Sequence, residues 1–185
     1  KTIAFWINPD STSESIFDLD GGTHKISVSS GTLTATGFSS PTIYVNGLVS
    51  SALAANEWSF VSITTATEFT VSDFDIGRIA TSYFDGELDD VKIWNTVLTF
   101  TQIQQEYSRG RVIDNTGLVG WWKLDESPNG NTNEIIDISG NVNHGITTGT
   151  MDSEDSVSGK LGNALDFDGT DDYVNIGNTS QTVKT

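Results

Sequence analysis

The sequence predicts an all-β fold: an antiparallel sandwich or jelly roll with one short helix. Three observations predict it. Short runs rich in Val, Ile, Thr, Phe and Trp recur between clusters of Gly, Asn, Asp and Ser. Only 18% of residues are charged while aromatics reach 10%, and Ser, Thr and Asn fill most of the remainder, which is a β composition. Only one segment combines a helical spacing with a cap and a stop. At 185 residues the chain has the length of one domain with a substantial core.

In chain order, strands are expected at Thr2 to Ile7, Lys25 to Ser29, Thr42 to Val45, Trp58 to Thr64 and Glu68 to Val71, each followed by turn residues. Asn46-Gly47 between Thr42–Val45 and Leu48-Val49 is a two-residue hairpin signal, because both residues accept positive φ cheaply. Asp20-Gly21-Gly22 and Ser30-Gly31 mark two further turns. The helix is expected at Thr99 to Ser108, where a Thr cap precedes Ile103 and Tyr107 at i, i+4 and Gly110 follows as a stop. The polar stretch 108–116 lacks periodicity and is expected to be a connector. A second strand-rich block follows, with strands at Leu118 to Leu124, Asn143 to Thr148, and Ala164 to Ile176 around a turn at Asp168-Gly169. Strand alternation sends Trp121 and Trp122 to opposite faces, while Trp6, Trp58 and Trp94 are expected in the core.

Charge and composition exclude several function classes. Acidic residues outnumber basic ones 25 to 9, giving a formal charge of -16 and a pI of about 4.1. That balance opposes docking on nucleic-acid phosphates or anionic lipid. No stretch approaches the roughly 18 apolar residues of a membrane span. With no cysteine, the chain has no disulfide, thiol nucleophile or zinc-thiolate site.

Two segments carry a family resemblance. They are Gly86-Glu87-Leu88-Asp89-Asp90-Val91-Lys92-Ile93-Trp94-Asn95 with its following helix, and Gly117-Leu118-Val119-Gly120-Trp121-Trp122-Lys123-Leu124-Asp125-Glu126. Supporting stretches run over 3–9, 76–78, 137–145 and 159–174. Together they resemble the laminin G-like domains of the concanavalin A-like lectin/glucanase superfamily. In that family the Trp-Lys-Leu-Asp-Glu type segment opens the domain and the Leu-Asp-Asp-Val-Lys-Ile-Trp type segment closes it. Here the order is reversed, so 1–107 is similar to the family's C-terminal part and 117–180 to its N-terminal part. Joining Val183-Lys184-Thr185 to Ile3 would restore the family order, and Lys-Thr occurs at both ends. The favoured expectation is one self-completed, circularly permuted domain over 1–185, with 108–116 as connector. The rivals are a window from a tandem array and a head-to-tail assembly of neighbouring copies.

Asp137, Ser139, Asn141 and Asn143 place oxygen-bearing side chains at every second position across a Gly, a spacing that lets a turning loop converge hard ligands on Ca²⁺. The resemblance suggests Asp89 as a further donor from the closing strand, with Asp90 as its substitute. The alternative is an Asx-turn network, in which Asp and Asn bond their own backbone. Asp166, Asp168, Asp171 and Asp172 form a second acidic cluster, expected to be a solvated hairpin turn.

Laminarinase-type glycosidases of the same superfamily carry Glu-x-Asp-x-Glu on one strand. Glu87-Leu88-Asp89 begins that pattern, but Val91 and Lys92 leave the acid/base pair incomplete, so no enzyme is expected. His24 and His144 lack any nucleophile framework, and His144 is expected to cap its loop. Tyr83 and Trp121 are the candidates for stacking on a sugar ring, against the plainer alternative of packing on a neighbouring strand. The resemblance thus implies a non-catalytic, extracellular or cell-surface module that binds a glycan or another surface ligand, with structural calcium. The alternative is a structural repeat of an adhesin stalk or extracellular filament.

Overall fold

In the computed structural model, residues 1–66, 68–109, 115–129 and 134–177 are described. The chain before the helix forms β1 (Thr2–Pro9), β2 (Glu14–Asp18), β3 (Lys25–Ser29), β4 (Thr32–Thr36), β5 (Thr42–Val45), β6 (Leu48–Val49), β7 (Ser59–Thr64), β8 (Phe74–Ile76), β9 (Arg78–Ile79), β10 (Ser82–Tyr83) and β11 (Asp85–Trp94). Helix α1 (Phe100–Arg109) is followed by β12 (Leu118–Trp122), β13 (Ile146–Thr148), β14 (Ser156–Ser158), β15 (Asn163–Asp168) and β16 (Tyr173–Gly177). Among the described residues, no helix is long and apolar enough to cross a membrane.

The strands build an all-β antiparallel sandwich. The larger sheet runs β14-β15-β11-β1-β7-β5-β6, and the smaller runs β13-β16-β8-β2-β3-β4. Strand β11 is the hub of the larger sheet. One edge pairs with β1 along its length; the other pairs first with β15 (Asp85↔Asp168 to Leu88↔Leu165) and then with β12 (Val91↔Trp122 to Trp94↔Leu118). Segments before and after α1 therefore share both sheets, since β16 likewise pairs with β8.

Inward side chains of both sheets meet in one core that includes Phe5, Phe17, Phe74, Leu88, Val91, Trp122, Phe167 and Val174. Removing one such aromatic side chain costs about 3–5 kcal/mol. A second apolar layer lies on the other face of the larger sheet: Ala4, Trp6, Phe60, Trp94, Leu98, Ile103 and Leu118, with Tyr44, Trp58, Trp121 and Leu161 against it. That layer explains why β1 is buried nearly throughout rather than at alternate residues.

Local chemistry sets the elements. Asn46 and Gly47 take φ of 51° and 76°, as a two-residue hairpin demands, and Asn46 Oδ1 accepts the Phe60 N–H. At the start of α1, Thr99 and Gln102 form a reciprocal cap: Thr99 Oγ1 accepts from Gln102 N, and Gln102 Oε1 accepts from Thr99 N. Ile103 then points into the second layer, and the Tyr107 ring lies near those of Trp6 and Phe60.

Several boundaries differ from expectation. Glu68 to Val71 is not a strand: Phe69 and Val71 are buried, yet only Thr70 makes a bridge. The β12 strand stops at Trp122 because Leu124 adopts a left-handed φ of 59°. Strands β2, β4, β8, β9, β10 and β14 were not expected. Trp58 is partly exposed rather than core. The expected stop Gly110, most of the connector, and 178–185 lie outside the described residues.

Candidate functional site

The loop expected to gather calcium ligands is a dense network around β12. Asp137 is 4% exposed, and its Oδ1 accepts from Trp121 N and Ser139 N while Oδ2 accepts from Asn143 N. The Val119 carbonyl accepts from Ser139 Oγ, Asn141 Nδ2 and Asn143 Nδ2. His144 Nδ1 accepts from Asp137 N. Each of these bonds ties the loop to itself or to β12, which is the Asx-turn arrangement.

Asp89 and Asp90 sit at a bulge in β11. Ala4 opposes Lys92 and Trp6 opposes Asp89, so Asp90 and Val91 together face the single residue Phe5, and Asp90 takes φ of 57°. The Asp89 carboxylate faces the 159–162 turn and accepts from Leu161 N at 2.7 Å. Burial pushes its pKa up to about 7, partly offset by the backbone N–H groups it accepts. Asp90 turns to other partners. Its Oδ1 accepts from the Trp121 indole Nε1 at 2.5 Å, and its Oδ2 lies 2.6 Å from Lys92 Nζ. The expected metal residues therefore occupy three places, the 137–143 loop, the Asp89 contact with the turn, and the Asp90 contact with Trp121 and Lys92.

Carboxylates do converge at the β15–β16 turn. One oxygen from each of Asp168, Asp171 and Asp172 lies within 4.8 Å of the others. Burial opposes charge on Asp168, yet the N–H groups of Thr170, Asp171 and Asp172 outweigh it and hold its pKa below the usual value. Asp172 is 1% exposed, and burial together with the Asp168 charge raises its pKa to about 6. These three could supply hard oxygen ligands to a divalent cation.

The two aromatic candidates separate. Trp121 packs against the second apolar layer, with its N–H on Asp90 and Lys92 Nζ 4.8 Å from its ring centroid. Tyr83 stands on β10, which pairs with β9 in a separate two-stranded sheet, and its ring lies 6.4 Å from that of Tyr173 on the smaller sheet. Arg78 Cζ lies 3.7 Å from the Tyr173 centroid and pairs with Asp75 at 2.6 Å; Asp75 also accepts from Asn175 Nδ2 at 2.8 Å. The sheet puts them together for a simple reason. Tyr173 and Asn175 alternate with the core residues Val174 and Ile176, and Asn175 is in register with Asp75, so all face outward. Burial opposes charge on both partners of the Arg78–Asp75 pair; it prevails at Asp75, whose pKa is raised, whereas the Asp75 contact prevails at Arg78, whose pKa is also raised. A face of two tyrosines, a guanidinium and an amide can stack on a sugar ring and exchange hydrogen bonds with its hydroxyls, while the buried Asp75 holds Arg78 and Asn175.

Of this group, sequence reasoning named only Tyr83. The alternation Tyr173-Val174-Asn175-Ile176 was the available signal, since it predicts which two side chains leave the core. No family model matches the chain, and no curated protein or solved structure matches it.

Proposed function

We propose that this chain is a non-catalytic binding module, similar to laminin G-like jelly rolls, that holds a glycan on the outside of its smaller sheet. The observation that carries the reading is the grouping of Tyr83 and Tyr173 with Arg78, Asp75 and Asn175 on one face. Because Arg78 is paired with Asp75 and the chain carries a charge of -16, a neutral sugar suits this face better than an anionic one. An extracellular or cell-surface setting belongs to the same proposal. A glycan array tests it: binding to neutral glycans that is lost in Tyr173→Ala supports the reading, and silence across the array contradicts it.

Calcium remains part of the proposal. Among the described residues, Asp168, Asp171 and Asp172 are the ones whose carboxylates converge, whereas both oxygens of Asp137 already accept backbone N–H groups. An unchanged melting midpoint between chelator and excess Ca²⁺ would remove the metal from the account.

A second reading, a structural repeat meeting neighbouring copies of itself, is favoured by one observation. Strand β6 ends its sheet and leaves Leu48 and Val49 62% and 70% exposed. A strictly monomeric species in light scattering speaks against it.

A further inference from the structure

We propose that Lys92 and Asp90 condense into an intrachain amide, with Glu106 moving the protons and the Trp121 indole N–H holding the developing oxyanion. Four features of the layer between the larger sheet and α1 lead to this assignment. Lys92 is fully enclosed, its side chain 1% exposed, and the side chains of Asp90 and Glu106 are 4% and 5% exposed. Lys92 Nζ donates to Glu106 Oε2 at 3.1 Å in ordinary geometry. It also lies 2.6 Å from Asp90 Oδ2, but off the hydrogen-bond direction, so that this oxygen has contact with the amine without being its acceptor. Finally, Asp90 Oδ1 accepts from Trp121 Nε1 at 2.5 Å, which polarises the same carboxyl group.

The arrangement has the parts of an acyl-transfer site. The amine is held against its electrophile in a fixed geometry, which replaces a bimolecular encounter by a local one. Trp6, Trp94, Leu98, Ile103 and Leu118 wall the layer, so water is excluded and the reverse hydrolysis is suppressed. The steps balance without any further reactant. Glu106 takes a proton from the Lys92 ammonium and passes it to Asp90 Oδ2, leaving a neutral amine beside a carboxylic acid. The amine attacks Asp90 Cγ, and the N–C bond forms as charge develops on Oδ1 opposite the indole N–H. Glu106 takes a proton from the attacking nitrogen and delivers it to the Oδ2 hydroxyl, the C–O bond breaks and water leaves. Glu106 is regenerated as a carboxylate and accepts from the amide N–H. Overall, one ammonium and one carboxylate become one amide and one water.

The product replaces two buried charges by a neutral group, relieving the desolvation that such ions carry. It also locks the β11 bulge under α1, because residues 90 and 92 become a closed ring.

Intact-mass spectrometry of the purified, denatured chain tests the proposal. The expected mass is lower than the sequence mass by one water, and peptide mapping places the loss on a fragment containing Asp90 and Lys92 that trypsin does not cleave after Lys92. Lys92→Met and Glu106→Gln should both show the full mass. A wild-type chain at full mass overturns the proposal, and that measurement does not depend on whether either variant folds. A water loss that persists in Lys92→Met, as a succinimide at an Asp-Gly step would give, overturns it as well. So does an amide mapped to Glu106, since that reverses the roles of the two acids.

Discussion

The two sheets carry the same chemical triplet on their outer faces, an acid, a cation and an aromatic ring, and treat it in opposite ways. On the larger sheet Lys92 lies against Asp90 and Trp121 beneath α1, with its side chain 1% exposed. Over the smaller sheet Arg78, from the β9–β10 hairpin, lies against Asp75 and Tyr173, with its side chain 24% exposed. The difference is one helix. Covering the first triplet removes it from solvent and commits it to the architecture of the chain, whereas in the second Asp75 is buried but the Arg78 guanidinium stays in reach of a ligand. Arg suits the open position, because its guanidinium keeps stacking and bidentate contacts in water. Lys on a flexible stem suits the enclosed one, where Glu106 supplies a second acid.

Breaking the sealed triplet should have the largest effect. Lys92→Met removes the partner that Asp90 and Glu106 share and leaves both acids buried without it, and denaturant unfolding should show a loss of about 3–5 kcal/mol. A loss below about 1 kcal/mol would mean that the layer admits water and is not sealed.

Two acids outside both triplets should next reveal themselves through pH. Asp89 has its pKa raised to about 7 and Asp172 to about 6, both from 3.8. A raised folded pKa means that the folded chain binds more protons, so this stabilisation is complete below about pH 4 and disappears as pH rises through about 6 to 7. Melting in chelator should therefore give a higher midpoint at pH 5 than at pH 8, with the slope reduced in Asp89→Asn. Equal slopes in the two proteins would exclude Asp89 as a source. Trp121→Phe removes the N–H that Asp90 Oδ1 accepts and should cost about 1–3 kcal/mol in denaturant.

Arg78→Met on the open face should produce the smallest change in stability, about 1–2 kcal/mol, because only the Arg78 end of the pair is partly solvated and the buried Asp75 keeps its bond from Asn175. Its effect should fall on glycan binding instead. A large loss of stability in Arg78→Met would erase the contrast between the faces.

The comparison also shows what a single sequence reveals. Strands with strong alternation or a clear turn, such as β1, β3 and the β5–β6 hairpin, were legible because side-chain period and turn chemistry are local. Strand β4 alternates faithfully, but as Thr-Leu-Thr-Ala-Thr it offers little apolar mass, while β2 is blurred by the register shift between Ser15 and Phe17. Glu68 to Val71 shows the opposite failure. Its apolar residues are buried, but Phe69 packs on Phe38 and His24 instead of extending a ladder.

The sites were less legible than the strands. Asp89 and Asp90 look alike in sequence, yet the bulge gives them different partners, the 159–162 turn for one and Lys92 and Trp121 for the other. Glu106 meets Lys92 only because α1 folds back on β11, and Arg78 meets Tyr173 only through the pairing of β8 with β16. Such contacts depend on tertiary placement, which no local spacing reports.

The most direct test of the open-face account is a titration of the isotope-labelled chain with a neutral oligosaccharide, followed by backbone amide shifts. The account predicts saturable changes confined to β8, β9, β10 and β16, around Asp75, Arg78, Tyr83 and Tyr173, with α1 and the 159–162 turn unmoved. Changes centred on α1, or none at any concentration, would contradict it.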